Sequence, residues 1–287
     1  MNFMSYNIRG ILGEGKASQV REIRFANKIS ALALQETKVS MISNLAAFNF
    51  WGNRNCEHAF SASEGLSGGL VWIWDPKVFK ANTVIQKRYY LVVKGIIVGC
   101  GEPINLVNIY APQNTSAKLA LWDELSSVID QAIGKWVLVG DFNAVRSQEE
   151  RRNSKFKPAC SENFNNFIFN NGLLEYLMQG RKFTCIRDNG KNLSKLDRFL
   201  VCPEFFNKWP SVCVRVLPPR HSDHCPIILE TVELNFGPRP FRVYNSWIGK
   251  LGFEESVRKA VEGFQYFDPP DLCLSSKFAC IRSAIKN

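Results

Sequence analysis

A chain of 287 residues, 46% of them apolar, can bury a large core and has room for one big domain or two small ones. No run of about 18 uncharged apolar residues occurs, and the N-terminus lacks the basic, apolar, small-residue order of a signal peptide, so the expectation is a soluble intracellular protein with no membrane partner. A formal charge of +10 with a pI near 9.2 favours polyanionic partners, and nine cysteines, an odd number without a C-x-x-C pair, suit reduced thiols better than a disulfide framework.

Short apolar runs rich in Val, Ile and Leu predict strands at 2–8, 30–35, 69–74, 91–98, 104–110, 136–140, 196–201, 212–217 and 225–232. Helical periodicity appears in 17–30, 116–133 and 161–174. The class is α/β or α+β. The short GCGEP connection between 91–98 and 104–110 forces antiparallel pairing, so the sheets are mixed. The texture changes after Val232, which predicts a catalytic domain over 1–233 and a linker-like segment over 234–287 with helical pieces near 253–263 and 276–285.

The first strand leads into Gly10-Ile-Leu-Gly-Glu-Gly15-Lys16-Ala17, a near match to the phosphate-cradling G-x-x-x-x-G-K-[ST] loop. A second supporter, the run KWVLVGD from Lys135 to Asp141, resembles the strand that ends in a magnesium-binding aspartate. Ala17 stands where that loop needs a hydroxyl, and the nucleotide-binding reading is set aside.

Strand after strand instead ends in a polar group: Asn7, Glu36, Tyr110, Asp141 with Asn143, Asp197, and the run Ser222-Asp223-His224. Each one alone reads as a satisfied loop junction. Together they supply what phosphodiester hydrolysis requires. Glu36 and Asn7 offer oxygen ligands to a hard cation, and Asp141 suits a base that activates water. Asn143, Tyr110 and His224 can stabilise phosphoryl oxygens, and Asp197 can orient His224. Zinc at His221, His224, Cys213 and Cys225 is disfavoured for want of paired cysteines.

The ordered set Asn7, Gln35-Glu36, Tyr110, Gly140-Asp141-Phe142-Asn143, Leu196-Asp197 and Ser222-Asp223-His224 resembles the endonuclease/exonuclease/phosphatase superfamily over residues 2 to about 232. Within it, NIRG, LALQETK, GLSGGLVWIWDP, GDFNAV, KFTCIRDNGKNLSKLDRFLV and HSDHCPI are most similar to the endonuclease domain of plant LINE-type retrotransposons. The resemblance implies a DNase I-like, four-layered sandwich of two mixed β-sheets flanked by helices. It also implies magnesium or manganese held by Asn7 and Glu36 with support from Asp223. Asp141 would activate water, Asn143 and Tyr110 would contact phosphate, and Asp197 would orient His224. Thr184 and Ser222 match phosphate-bonding positions, and Arg151 matches a DNA-facing arginine. Arg9 replaces an aspartate of the apurinic enzymes, so abasic-site activity is expected to be lost.

The partner implied is DNA, lying along the basic stretch 146–198. Two alternatives keep the fold: a phosphatase for a small or lipid phosphate ester, and an inactive remnant of a retroelement whose reverse transcriptase domain is absent from this chain. Ser67-Gly68-Gly69 reads equally as a turn or a substrate loop, Trp209 reads as a packed aromatic, and the segment around His58 is not assigned.

Overall fold

The computed structural model describes residues 1–65, 67–187, 190–231, 247–265 and 270–286. In chain order its elements begin with β1 (Asn2–Asn7), α1 (Lys16–Ala26), β2 (Ile29–Gln35), α2 (Asn44–Trp51), β3 (Glu57–Glu64), β4 (Ser67–Trp74), β5 (Phe79–Gln86), β6 (Tyr90–Ile97) and β7 (Pro103–Tyr110). Then come α3 (Thr115–Val128), β8 (Lys135–Asp141), β9 (Arg151–Arg152), α4 (Pro158–Asn170), β10 (Leu174–Glu175), β11 (Met178–Gln179), β12 (Cys185–Arg187) and β13 (Asn192–Ser194). The series closes with β14 (Asp197–Val201), α5 (Pro203–Lys208), β15 (Val214–Val216), β16 (Ile227–Leu229), α6 (Phe253–Glu262) and α7 (Pro270–Lys286).

Two mixed sheets result, one in the order β11-β15-β16-β1-β2-β4-β3 and the other β10-β14-β8-β7-β6-β5, with a small third sheet β12-β13-β9. The pairs β1–β2 and β7–β8 are parallel, whereas β6–β7 is antiparallel as its short turn requires. Side chains alternate across each strand. Phe3 of β1 enters the core shared by both sheets, while Met4 and Tyr6 pack outward with Val20 of α1 and Trp51 of α2. On the second sheet, Trp122 of α3 stacks on Phe167 of α4 with ring centroids 5.0 Å apart. Helices, sheet, sheet and helices make the four layers.

The inward-facing rows carry the logic of the molecule. They are apolar along most of their length, then turn polar at one end: Ser5 and Asn7 on β1, Gln35 on β2, Asn108 and Tyr110 on β7, Asp141 on β8 and Asp197 on β14. Asn108 spans the two sheets there. Its amide donates to the Leu34 and Val71 carbonyls at 3.0 and 2.9 Å and accepts from Gln35 at 2.6 Å.

Several elements differ from expectation. β3, which contains His58, and β5 alternate apolar with charged or polar residues too weakly to stand out as strands. The helix predicted to run to 133 ends at Val128, with Ile129 extended after it. Asn114 caps that helix through bonds to the Ser116 and Ala117 amides. The chain divides into two compact units, Met1–Glu233 and Leu234–Asn287. In the second, α6 and α7 are longer than or close to the expected helical pieces, and the Pro-rich stretch at 232–246 lies outside the described residues.

Candidate active site

The polar row-ends converge because β1, β2, β7, β8 and β14 all present them at the same margin of the inter-sheet core. Asp141 is the centre. One of its oxygens accepts from the Asn143 backbone N–H and the other from the Asn7 side-chain amide, each at 2.9 Å. His224 comes from the loop before β16, its Nδ1 2.8 Å from Asp197 Oδ2 and its Nε2 3.7 Å from Asp141 Oδ2. Asp141, Asp197 and His224 are all essentially buried, and His224 Nε2 has no hydrogen-bond partner.

Burial by itself disfavours an imidazolium at His224, but the carboxylates of Asp197 and then Asp141 outweigh it and hold the pKa well above its usual value. Burial pushes the Asp141 carboxyl up, to about 6, against the opposing pull of His224. The pair is a carboxyl that titrates near neutrality beside a ring that keeps its second proton.

Glu36 lies at the neighbouring strand end. Its backbone is left-handed, with φ 52°, a strained conformation for a long side chain. Two neighbours hold it there. Gly10 N–H donates to the Glu36 carbonyl at 2.6 Å, and the Thr37 and Lys38 amides donate to the Gly69 and Gly68 carbonyls at 3.1 and 3.0 Å. A side chain at Gly69 would collide with the Thr37 hydroxyl, so the Ser67-Gly68-Gly69 start of β4 serves as a brace for the Glu36 loop. Tyr110 donates to Glu36 Oε1 at 2.5 Å, and burial followed by the charge of Glu36 pushes its phenol pKa up, keeping the proton on the hydroxyl.

Gly140 answers to a similar constraint. Its φ is 136°, and a Cβ there would strike the Ile109 carbonyl where β7 and β8 run parallel.

Other expected residues stand elsewhere or act differently. Thr184 is fully buried, and its hydroxyl oxygen accepts from the Leu196 and Asp197 amides at 3.0 Å each, so it positions Asp197. Ser222 donates to the Asn7 carbonyl at 2.8 Å and accepts from the His224 amide at 3.1 Å, clasping two parts of the site together. Asp223 is paired with Arg9 at 2.7 Å and Arg187 at 3.2 Å, so its carboxylate is taken up by cations instead of joining Glu36. Tyr110 spends its proton on Glu36. The Asn143 side chain donates to the Ala111 carbonyl and accepts from Gln113, both at 2.8 Å. Arg151 lines a cleft together with Asn143.

The basic stretch is also partly internal. Arg198 is buried and pairs with Glu150 and Glu175, Lys195 pairs with Glu175 at 2.7 Å, and Arg146 with Glu175 at 3.1 Å. Among the described residues, the groups of close ligand atoms are Asp141-Asp197-His224 and Cys185-Asp223-His224; neither includes His221, Cys213 or Cys225. Trp209 packs on Phe205 at 4.6 Å.

Sequence reasoning passed over Asn108, Gln113 and the Glu150–Glu175–Arg198 network. A signal for the first existed: Asn108 lies two residues before Tyr110 on β7, so it faces the same way.

A family model described as the Endonuclease/Exonuclease/phosphatase family matches residues 4–224. Over 208 residues the chain is 24% identical to the "Transposon TX1 uncharacterized 149 kDa protein" of Xenopus laevis, a stretch covering 68% of this chain and only 15% of that protein. The fold is similar to AP endonuclease LMAP from Leishmania major, with a TM-score of 0.64, 16% identity and coverage of 79% of this chain and 86% of that one. It is also similar to the endonuclease domain of TRAS1, a telomere-specific non-LTR retrotransposon, with a TM-score of 0.58, 13% identity and coverage of 79% and 96%. With the family match extending over most of its length, the chain belongs to the endonuclease/exonuclease/phosphatase family.

Proposed function

We propose that this chain is a magnesium-dependent phosphodiesterase that nicks DNA, and that it derives from a LINE-type retroelement of plants. The observation that carries the hydrolase reading is the buried chain of contacts from Asn7 through Asp141 and His224 to Asp197, with His224 Nε2 left without a partner. The likeness to the TX1 protein supports a retroelement origin, and the motif resemblance favours plants. An intracellular setting is proposed with it.

Glu36 and the Asn7 amide oxygen form an all-oxygen donor set on adjacent strand ends, which suits magnesium, or manganese in its place. Bound there, the ion would supply Lewis-acid polarisation of a phosphoryl oxygen. Asp141 takes the proton of the attacking water as the new P–O bond forms and the ester P–O bond breaks. The protonated His224 donates from Nε2 to a phosphoryl oxygen, stabilising charge that grows in the transition state. Asp197 fixes the ring through Nδ1, and Thr184 fixes Asp197. Tyr110 orients the Glu36 carboxylate. Asp223 supports the site at one remove through its ion pair with Arg9.

DNA is the substrate favoured by the net charge and by Arg151, Arg152, Lys155 and Lys157, which follow β8 on one stretch of chain. Nicking of supercoiled plasmid should require magnesium, stop with EDTA and be lost in Asp141→Asn. Undiminished nicking by Asp141→Asn would sink the reading. Phosphate release from a small ester that duplex DNA does not inhibit would favour the phosphatase alternative, and inertness toward both would favour the remnant. Duplexes with and without an abasic site should be cut equally.

A further inference from the structure

A cleft of about 110 Å³ opens beside Asn143, walled by Gln113, Lys118, Arg151, Lys157 and Cys160 among others. Three of its walls are cationic, and no carboxylate lines it. Lys118 is the unusual member. It belongs to the first turns of α3, is only 4% exposed, and its ammonium finds nothing better than the Gln113 carbonyl at 3.4 Å and the Cys160 thiol at 3.5 Å. Burial lowers its pKa, as expected of an ammonium withdrawn from water without an anion to replace the lost hydration.

Arg151 repeats the pattern. Its buried Nε has no partner, although its terminal nitrogen donates to the Lys155 carbonyl at 3.2 Å. Removing cations from water is costly unless a counter-charge and hydrogen bonds compensate, and here the cleft lining provides no counter-charge and only long hydrogen bonds of 3.2–3.5 Å. What is missing is an anion with several acceptor oxygens. The cleft has the volume of three or four waters at about 30 Å³ each, enough for a phosphoryl group.

The location adds a constraint. Gln113 on the cleft wall donates to the Asn143 side chain, and the Asn143 backbone N–H holds Asp141. An anion in the cleft therefore sits one residue's width from the proposed base. We propose that the cleft is a second phosphate subsite, in which Lys118, Arg151 and Lys157 seat a phosphodiester flanking the one that is cleaved. The identity of this ligand rests on the DNA-nicking reading, whereas the anion site itself rests on the cleft.

The test pairs a binding arm with a kinetic arm. Inorganic phosphate, added with EDTA present, should raise the melting temperature of the wild type and of Asp141→Asn but not of Lys118→Met. Without phosphate, Lys118→Met should melt above the wild type, because an unpaired buried charge has been removed. In magnesium, Lys118→Met should raise KM for an intact duplex about tenfold, the worth of one charge-assisted contact, with the loss falling on KM and not on kcat. Neutral methylphosphonates at the flanking linkages should weaken wild-type binding similarly and leave Lys118→Met little changed.

Should Lys118→Met fail to fold, the exposed Lys157→Ser carries the phosphate-shift and KM arms. A phosphate shift and a KM both unaltered in the variants would overturn the proposal. Lys118-dependent phosphate binding by a protein that cuts no DNA would uphold the anion site and refute the nuclease reading instead.

Discussion

Lys16 donates to three successive carbonyls, those of Ile8, Arg9 and Gly10, at 2.8, 3.0 and 2.8 Å. The lysine that resembles a nucleotide-binding residue is thus a clamp on the chain as it leaves β1, immediately after Asn7. At the same scale, Asp141 as the proposed base and His224 as the proposed donor set the expected pH behaviour. Asp141 acts when deprotonated, so kcat/KM should climb as pH rises through about 6. His224 acts when protonated, so the rate should fall again only above its raised pKa. Asp197→Asn removes the leading attraction on the imidazolium and should shift the alkaline limb to lower pH, read from a pH–rate profile of plasmid nicking. Asp141→Asn should cost about 10²–10⁴ in kcat, the usual share of a positioned base.

The element that holds Asp197 in place is β14, and its outward side is anchored by charge. Arg198 sits fully buried beside Phe164, 5.6 Å from the ring centroid, and binds Glu150 and Glu175. Arg198→Met removes the buried cation that Glu150 and Glu175 share, leaving them Lys195 and Arg146, and should lower stability by about 3 kcal/mol in urea unfolding. Burial alone would raise the Glu175 pKa, yet Arg198 and Lys195 override it and bring it down to about 2. A depressed carboxyl contributes stability above its unfolded value near 4.5, and that contribution is lost as pH falls through about 2. Glu175→Gln should therefore destabilise at pH 7, with the difference from wild type shrinking steadily below pH 4.5 in acid titrations followed by circular dichroism. The same network explains why the basic stretch 146–198 is not all available to a polyanion.

Across the whole molecule, two sheets meet in an apolar core that ends in a polar margin, and Asn108 ties the sheets together at that boundary. Asn108→Leu keeps the volume but leaves Gln35 only its bonds with Ser5 and two carbonyls short of a donor. A loss of about 2–4 kcal/mol in urea unfolding is expected, together with weaker magnesium activation as β2 and Glu36 shift relative to β8. We also propose that Met1–Glu233 is the catalytic domain. The Met1 terminus and Thr231 are already bonded at 2.9 Å within it. A chain ending at Glu233 should nick plasmid within about twofold of the full rate, as expected of a compact domain with its own core.

Local pattern made much of this legible. Hydrophobic runs located most of the long strands, short turns dictated antiparallel neighbours, and the order of polar strand ends pointed to metal-assisted phosphodiester chemistry. β3 and β5 escaped because their alternation is weak, and the two- and three-residue strands β9 to β13 because pairing partners distant in sequence define them. The sequence by itself determined which residues end the inward rows, since a strand's period of two assigns each side chain to a face. Only the tertiary structure decided what those residues touch. Thr184 and Ser222 became supports, Asp223 was claimed by Arg9 and Arg187, Tyr110 was spent on Glu36, and Lys118 was buried without a counter-ion. Those outcomes depend on hydrogen bonds and ion pairs between strands far apart in the chain, and such contacts leave no periodic trace along it.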